Sequence, residues 1–121
     1  MNHYPYVMGR SAERIAELDY RERGYEIVAR NFRCHLGEID FLAFRDGELV
    51  VVEVKGRRWL RLDDAWLTRW YRKKGRLSRT LRWFLAANRE WVDRVDEYRL
   101  EIVFVTQGRV IERYADEPYR G

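Results

Sequence analysis

The chain has 121 residues, a formal net charge of +4 and one cysteine. This length suits a single domain. One cysteine excludes an internal disulfide and leaves too few thiolate ligands for a structural zinc site. No apolar run approaches the roughly 20 residues of a membrane-spanning helix, and residues 1–8 lack the pattern of a signal peptide. We therefore expect a cytoplasmic protein with no membrane partner.

Positive charge is concentrated in one segment of the chain. Residues 56–90 contain 11 Lys or Arg and three Asp or Glu, an excess of +8, so the rest of the chain carries −4. A directional basic surface of this kind favours an acidic partner. Nucleic acid is the partner that we expect, with DNA as the favoured form.

The N-terminal part of the chain predicts a leader, a helix and a strand. We expect residues 1–8 to form a flexible leader. Ser11 is a suitable N-cap for a helix that runs to about Arg23 and stops at Gly24. The stretch from Tyr25 to Asn31 predicts the first strand.

The next two strands flank a strong hairpin signal. Asp46-Gly47 is typical of a two-residue hairpin turn, and the residues around it predict strands at Ile39–Phe44 and Leu49–Lys55. Residues 49–52 are all apolar. A strand that is apolar on both faces is typically central in its sheet.

A long helix is predicted after a basic loop at residues 56–64. Lysines stand at positions 73 and 74, where the apolar stripe of this helix would otherwise continue. The helix should span about residues 65–88, because apolar residues recur there at helical spacing: Trp66, Trp70, Leu77, Leu81, Phe84 and Leu85.

The remaining residues predict two strands, Arg99–Thr106 and Val110–Tyr114, joined by a turn at Gln107-Gly108. The element order is helix, three strands, helix, two strands, which favours an α/β domain. We expect this domain to occupy residues 9–116 and to be followed by a tail at residues 117–121.

The hairpin brings four charged side chains together. Counting back from the turn, Asp40 lies opposite Glu53 and Glu38 lies opposite Lys55, on one face of the sheet. Like charges directly opposite each other destabilise a sheet. A divalent cation is the simplest compensation for the Asp40–Glu53 pair. The alternative is an ordinary polar surface on which Glu38 and Lys55 form an ion pair, and a role for Glu38 in the metal shell stays open.

An all-oxygen ligand set favours Mg²⁺ or Mn²⁺ over Zn²⁺. Asp40 and Glu53 would each supply a carboxylate, and the backbone carbonyl of Val54 and waters would complete an octahedral shell. Lys55 would hold an attacking water or stabilise charge on a phosphate. This combination predicts the hydrolysis of a phosphodiester bond.

Arginines and aromatic residues alternate in the basic segment, a combination that suits phosphate contacts and base stacking. A solvated helix face is the alternative, with long lysines that snorkel at positions 73 and 74. We expect Trp66, Trp70 and Trp83 to lie in the core or in an interface. The residues expected to contact nucleic acid are Arg57, Arg58, Arg69, Lys73, Lys74 and Arg76.

These motifs together resemble a known family. Asp40 followed by Glu53-x-Lys55 is similar to the pattern of the PD-(D/E)xK nuclease superfamily. Over about residues 9–105, the chain resembles the YraN-like bacterial family, which is related in fold to archaeal Holliday-junction resolvases. The segments that carry this resemblance are Ala12-Glu13, Gly24-Tyr25, Asn31-Phe32-Arg33, Gly37-Glu38-Ile39-Asp40 and Val52-Glu53-Val54-Lys55.

The resemblance implies a restriction-endonuclease-like α/β fold, with a mixed central sheet of about five strands flanked by helices. It implies that Asp40 and Glu53 are metal ligands and that Lys55 is the catalytic lysine. Glu13 would be an accessory carboxylate that contributes to catalysis and metal binding. Lys73 stands where the family carries a helix lysine. By analogy with resolvases, it also implies a homodimer.

We therefore expect a metal-dependent endonuclease that hydrolyses DNA, with branched and damaged DNA among its candidate substrates. The alternative is a non-catalytic nucleic-acid-binding module with a nuclease-like fold. A third hypothesis is an interaction protein that docks a partner through its aromatic helix.

Overall fold

The computed structural model describes residues 4–55, 64–106 and 108–115. Over these residues, neither α-helix is long and apolar enough to cross a membrane. The elements in chain order are α1 (Tyr4–Glu22), β1 (Glu26–Cys34), β2 (Gly37–Arg45), β3 (Glu48–Lys55), α2 (Asp64–Ala87), a 3₁₀ helix (Arg89–Arg94), β4 (Glu97–Thr106) and β5 (Arg109–Ala115).

The five strands form one mixed sheet in the order β1-β2-β3-β4-β5. β3 and β4 are parallel, and the other neighbours are antiparallel. A parallel pair needs a crossover connection, and α2 lies within the connection between β3 and β4. The expected α/β fold, with a mixed five-stranded sheet flanked by helices, is confirmed.

The two helices pack against separate apolar clusters, one on each face of the sheet. Residues 49–52 of β3 are all buried and divide between the two clusters, which confirms β3 as a central strand. The α2 cluster includes Leu42, Leu49, Val51, Trp70, Leu77 and Leu81. The α1 cluster includes Ala12, Ala16, Tyr20, Phe41, Val50 and Val52.

The turn between β2 and β3 confirms the hairpin prediction. Asp46 and Gly47 have φ values of 48° and 80°, and positive φ at both central residues defines the turn whose twist suits a hairpin. The strands pair in the predicted register from Arg45–Glu48 to Phe41–Val52.

Two predicted boundaries are wrong at the N-terminal end of the chain. Helix α1 begins at Tyr4, so Ser11 lies inside the helix and is not its N-cap. Pro5 is compatible with this start, because the first helical turn does not use the missing N–H. Strand β1 continues to Cys34, where it still pairs with Gly37 of β2, and it passes through Asn31 at a φ of 50°.

A buried polar network attaches α1 to strands β4 and β5. Glu101 on β4 is 1% exposed and accepts a hydrogen bond from the Tyr20 hydroxyl. The Arg113 Nε and Arg99 Nη1 atoms lie 3.5 and 3.7 Å from its two carboxylate oxygens. Burial and the charge of Glu101 raise the pKa of Tyr20. A buried carboxylate needs such partners. The hydrogen bond from Tyr20 to Glu101 therefore holds α1, the helix that carries Glu13, against the sheet.

Candidate functional site

The candidate site lies where β2 and β3 separate. Their ladder ends at Phe41–Val52, and Asp40 and Glu53 are the next residues along. The Val54 amide donates a hydrogen bond of 2.8 Å to Asp40 Oδ2. An aspartate side chain therefore continues the connection between the strands beyond the last paired backbone groups.

The side-chain alternation of β2 is interrupted at the same point. Ile39 and Leu42 both belong to the α2 cluster although they are three residues apart, whereas Phe41 belongs to the α1 cluster. A regular strand would put residues 39 and 41 on the same face. Asp40 stands at the point where the alternation breaks, and it lies on the α2 side of the sheet with Leu42.

The carboxyl groups of Asp40 and Glu53 interact directly. Burial, and then the charge of Glu53, raise the pKa of Asp40 to about 8, although the Val54 hydrogen bond acts to lower it. The charge of Glu13 and a hydrogen bond with Glu53 raise it further. Because burial and a like charge both penalise the ionised form, Asp40 keeps its proton to a higher pH than an exposed aspartate does.

Two ammonium groups converge on Glu53, whose side chain is 7% exposed. Lys73 Nζ contacts Glu53 Oε2, and Lys55 Nζ lies 3.4 Å from the same oxygen. Burial and the neighbouring Lys73 charge lower the pKa of Lys55, despite the opposing effect of Glu53. Burial alone would lower the pKa of Lys73, but its hydrogen bond and charge attraction to Glu53 outweigh burial and raise it.

The carboxylates open into a cavity of about 270 Å³ between the sheet and α2. Asp40 and Glu53 line one side of it, and Lys73, Arg76 and Thr80 line the other. A wider groove of about 770 Å³ shares Lys73 and Arg76 with this cavity. Its cationic lining consists of Lys55, Arg69, Arg72, Lys73, Arg76 and Arg79. The cavity that holds the carboxylates and the basic groove therefore meet at Lys73 and Arg76.

Of the predicted catalytic residues, Asp40, Glu53 and Lys55 lie together. The Val54 backbone also belongs to this group, through its amide bond to Asp40. Glu13 acts on Asp40 through its charge. Within the described ranges, no three or more Asp, Glu, His or Cys side chains converge as metal ligands, so a ligand role for Glu13 stays a prediction.

The expected cross-strand pair of Glu38 with Lys55 is wrong. Pairing between β2 and β3 ends before these residues. Glu38 instead faces Arg33 across the β1–β2 ladder, with Glu38 Oε2 3.4 Å from Arg33 Nε. Lys55 pairs with Glu53 on its own strand.

The predicted nucleic-acid contacts divide into three groups. Arg57 and Arg58 lie outside the described residues. Arg69 and Arg76 are exposed in the basic groove. The two lysines of α2 contact other side chains of the protein. Lys73 contacts Glu53, and Lys74 Nζ lies 4.8 Å from the centre of the Tyr71 ring.

The tryptophans of α2 differ in exposure. Trp70 is 3% exposed and belongs to the core, as predicted, so it presents no surface to a docking partner. Trp83 is 50% exposed and does not lie in the core, so of its two expected places only an interface stays a prediction. It follows the buried Leu81 by two residues and borders the apolar stripe. The side chain of Trp66 is not among those described.

Sequence comparison assigns the family. The sequence model of the uncharacterised protein family UPF0102 matches residues 12–105. The chain belongs to this family. The resemblance to YraN-like proteins is thereby confirmed, and the matched residues include every described member of the candidate site.

Several UPF0102 proteins are similar over most of their length. A UPF0102 protein of Herpetosiphon aurantiacus is 31% identical over 107 residues, which cover 85% of this chain and 84% of the relative. One from Lachnoclostridium phytofermentans is 40% identical over 83 residues, covering 69% and 70%. One from Treponema pallidum (strain Nichols) is 38% identical over 85 residues, covering 70% and 68%.

The raised pKa of Asp40 predicts a stability difference that depends on pH. In the unfolded chain Asp40 ionises near 3.8, and in the folded protein near 8. Folded wild-type protein should therefore lose stability as the pH rises between these values, by at most about 1.4 kcal/mol per pH unit. Asp40→Asn has no such loss, so its free energy of unfolding relative to wild type should increase with pH.

Urea unfolding in EDTA across this interval measures the difference. EDTA is needed because a bound metal would replace the proton. Glu22→Gln, which removes an exposed carboxylate from α1, is the control. A difference between Asp40→Asn and wild type that stays constant with pH would contradict the assignment.

Proposed function

We propose that this protein is a metal-dependent endonuclease that hydrolyses phosphodiester bonds in DNA. The observation that supports this most is the direct contact of Asp40 with Glu53, beside Lys55 and Lys73, in a cavity that adjoins a basic groove. Two carboxylates beside a surface that binds phosphate can act on the phosphate together only if both of them bind a cation.

The donor chemistry fits Mg²⁺ or Mn²⁺. Mg²⁺ in phosphate-handling sites commonly uses one or two carboxylates and keeps several waters. Asp40 and Glu53 would hold the ion, with the Val54 carbonyl as a further oxygen donor and Glu13 as an accessory carboxylate. The charge repulsion that raises the pKa of Asp40 is the repulsion that a divalent cation would offset. When bound, the ion would polarise a phosphoryl oxygen and lower the pKa of a coordinated water.

Lys55 is the residue that we assign to proton and charge handling. Burial and the Lys73 charge lower its pKa, so it gives up a proton more readily than a surface lysine. Its ammonium would orient the attacking water or stabilise negative charge that grows on the phosphate. Lys73 has a different task, because its ammonium neutralises Glu53 while no metal is bound.

Helix α2 would hold the substrate beside these groups. Arg69 and Arg76 line the groove next to Lys73 and suit contacts with backbone phosphates. Branched and damaged DNA are candidate substrates. Arg57 and Arg58 remain predicted contacts in the adjoining segment.

A non-catalytic nucleic-acid-binding module is the second candidate function. One observation favours it: Lys73 already supplies a positive charge to Glu53, so the fold satisfies this carboxylate without a metal. In that case the basic groove would bind DNA and the cavity would have only a structural role.

Cleavage assays separate the two functions. We expect nicking of linear, flapped or four-way DNA in Mg²⁺ or Mn²⁺, and a loss of about 100-fold or more in Asp40→Asn and in Glu53→Gln. DNA affinity should persist, because neither carboxylate contributes positive charge. Glu22→Gln, which changes an exposed carboxylate of α1 outside the cavity, should retain cleavage. Salt-dependent binding without cleavage in either metal would support the binding module instead.

The Lys73–Glu53 contact predicts competition between an ammonium and a metal ion. Lys73→Met should bind Mn²⁺ about tenfold more tightly than wild type, because metal binding no longer breaks a charge-assisted hydrogen bond. Lys74→Met is the matched control, since Lys74 stands over Tyr71 and should leave the affinity unchanged. Calorimetric titration with Mn²⁺ measures both variants. Equal or weaker binding by Lys73→Met would contradict the competition.

A further inference from the structure

We propose that Trp83, supported by His35, is a stacking platform for an unpaired nucleobase beside the candidate active site. The substrate class that follows is a nucleic acid with a single-stranded segment next to the bond that is cut. This inference rests on the proposed function, because it describes what the same site would bind.

The indole of Trp83 is open to solvent yet held in place. It is 50% exposed. The His35 ring meets it edge to face, with centroids 4.7 Å apart and planes at 84°. Aromatic pairs prefer this arrangement, and it restricts the indole without covering it completely. A fixed, half-open aromatic ring offers a stacking surface at little cost in conformational entropy.

The platform adjoins the carboxylate cavity. Thr80 lines the cavity and precedes Trp83 by three residues, about 4.5 Å along the helix axis. Gly37 also lines it and follows His35 by two residues in the β1–β2 turn. Thr80 Oγ1 lies only 3.1 Å from where a Cβ on Gly37 would stand. The helix and the turn that carry the two rings therefore meet at the cavity wall.

A row of arginines leads along α2 to the platform. Alternating steps of three and four residues keep side chains on one edge of a helix. Over the part of the chain that the structure describes, none of these arginines has a carboxylate within ion-pair distance. The row extends about 21 Å along the helix axis, and its members are the exposed Arg69, Arg72, Arg76 and Arg79, followed by Trp83.

The charge around Trp83 favours nucleic acid over a second copy of this chain. Arg79 and Arg82 are both exposed beside it, and two such surfaces would repel each other. Phosphates would instead be attracted to the arginines while a base stacks on the indole, as in proteins that bind single strands. A base inside a duplex is stacked on both faces, whereas an unpaired base can turn a face to Trp83.

Binding measured in EDTA tests the platform without any need for turnover. The ligands are a labelled oligothymidylate, an abasic strand of the same length and a blunt duplex, and the readout is fluorescence anisotropy. We expect Trp83→Ala to weaken oligothymidylate binding by about tenfold, and to leave the abasic strand and the duplex unaffected. Leu18→Ala, which removes a 51% exposed side chain from α1, is the matched control and should change none of the three.

A second measurement does not depend on how well Trp83→Ala folds. Oligothymidylate should quench tryptophan fluorescence less in Trp83→Phe than in wild type, while the phenyl ring retains most of the affinity. Equal quenching in the two proteins would contradict the platform.

The remaining outcomes separate this inference from the function on which it rests. Unchanged oligothymidylate binding by Trp83→Ala, or an equal loss for the abasic strand, would overturn the platform alone. A wild-type dimer that Trp83→Ala converts to a monomer would also overturn it, because the indole would then be an interface residue. If the wild type binds none of the three ligands, the proposed function fails together with the platform.

Discussion

The site depends on two carboxylates, the buried Glu53 and the half-buried Asp40, that meet where β2 and β3 separate. Burying a second negative charge beside the first is costly unless something compensates it. Here the compensation comes from the Val54 amide on Asp40, from a raised pKa that favours the neutral form of Asp40, and from the Lys73 ammonium on Glu53. The proposed hydrolysis, the proposed metal binding and the role proposed for Lys73 all depend on what can replace these compensating groups.

Local signals predict most of the fold. Asp46-Gly47 specifies its turn through backbone conformation alone, and the apolar run at residues 49–52 identifies β3 as a central strand because both of its faces need cover. The N-terminal boundaries are harder to predict. Ser11 is of a residue type that favours the N-cap, but Pro5 supports an earlier start, and β1 passes through the positive φ of Asn31 without stopping. In both places several local signals are compatible, and the neighbouring structure selects one.

The register of the hairpin brings Asp40 and Glu53 together, so the centre of the site is visible in the sequence. The groups that surround these two carboxylates cannot be predicted from the sequence. The ladder ends one pair before these carboxylates, which a count from the turn cannot reveal. Contact between Lys73 and Glu53 depends on how α2 crosses the sheet, and this is a tertiary property. Trp83 borders the apolar stripe of α2, and helical spacing does not fix where the buried face of a helix ends.

The most direct test is a crystal structure of the protein grown with Mn²⁺, examined by anomalous scattering from the metal. The proposed metal site predicts one Mn²⁺ bound to a carboxylate oxygen of Asp40 and to one of Glu53, at about 2.0–2.2 Å, with the Lys73 ammonium withdrawn from Glu53. A metal bound elsewhere, or no metal with Lys73 still on Glu53 and Asp40 on the Val54 amide, would contradict it.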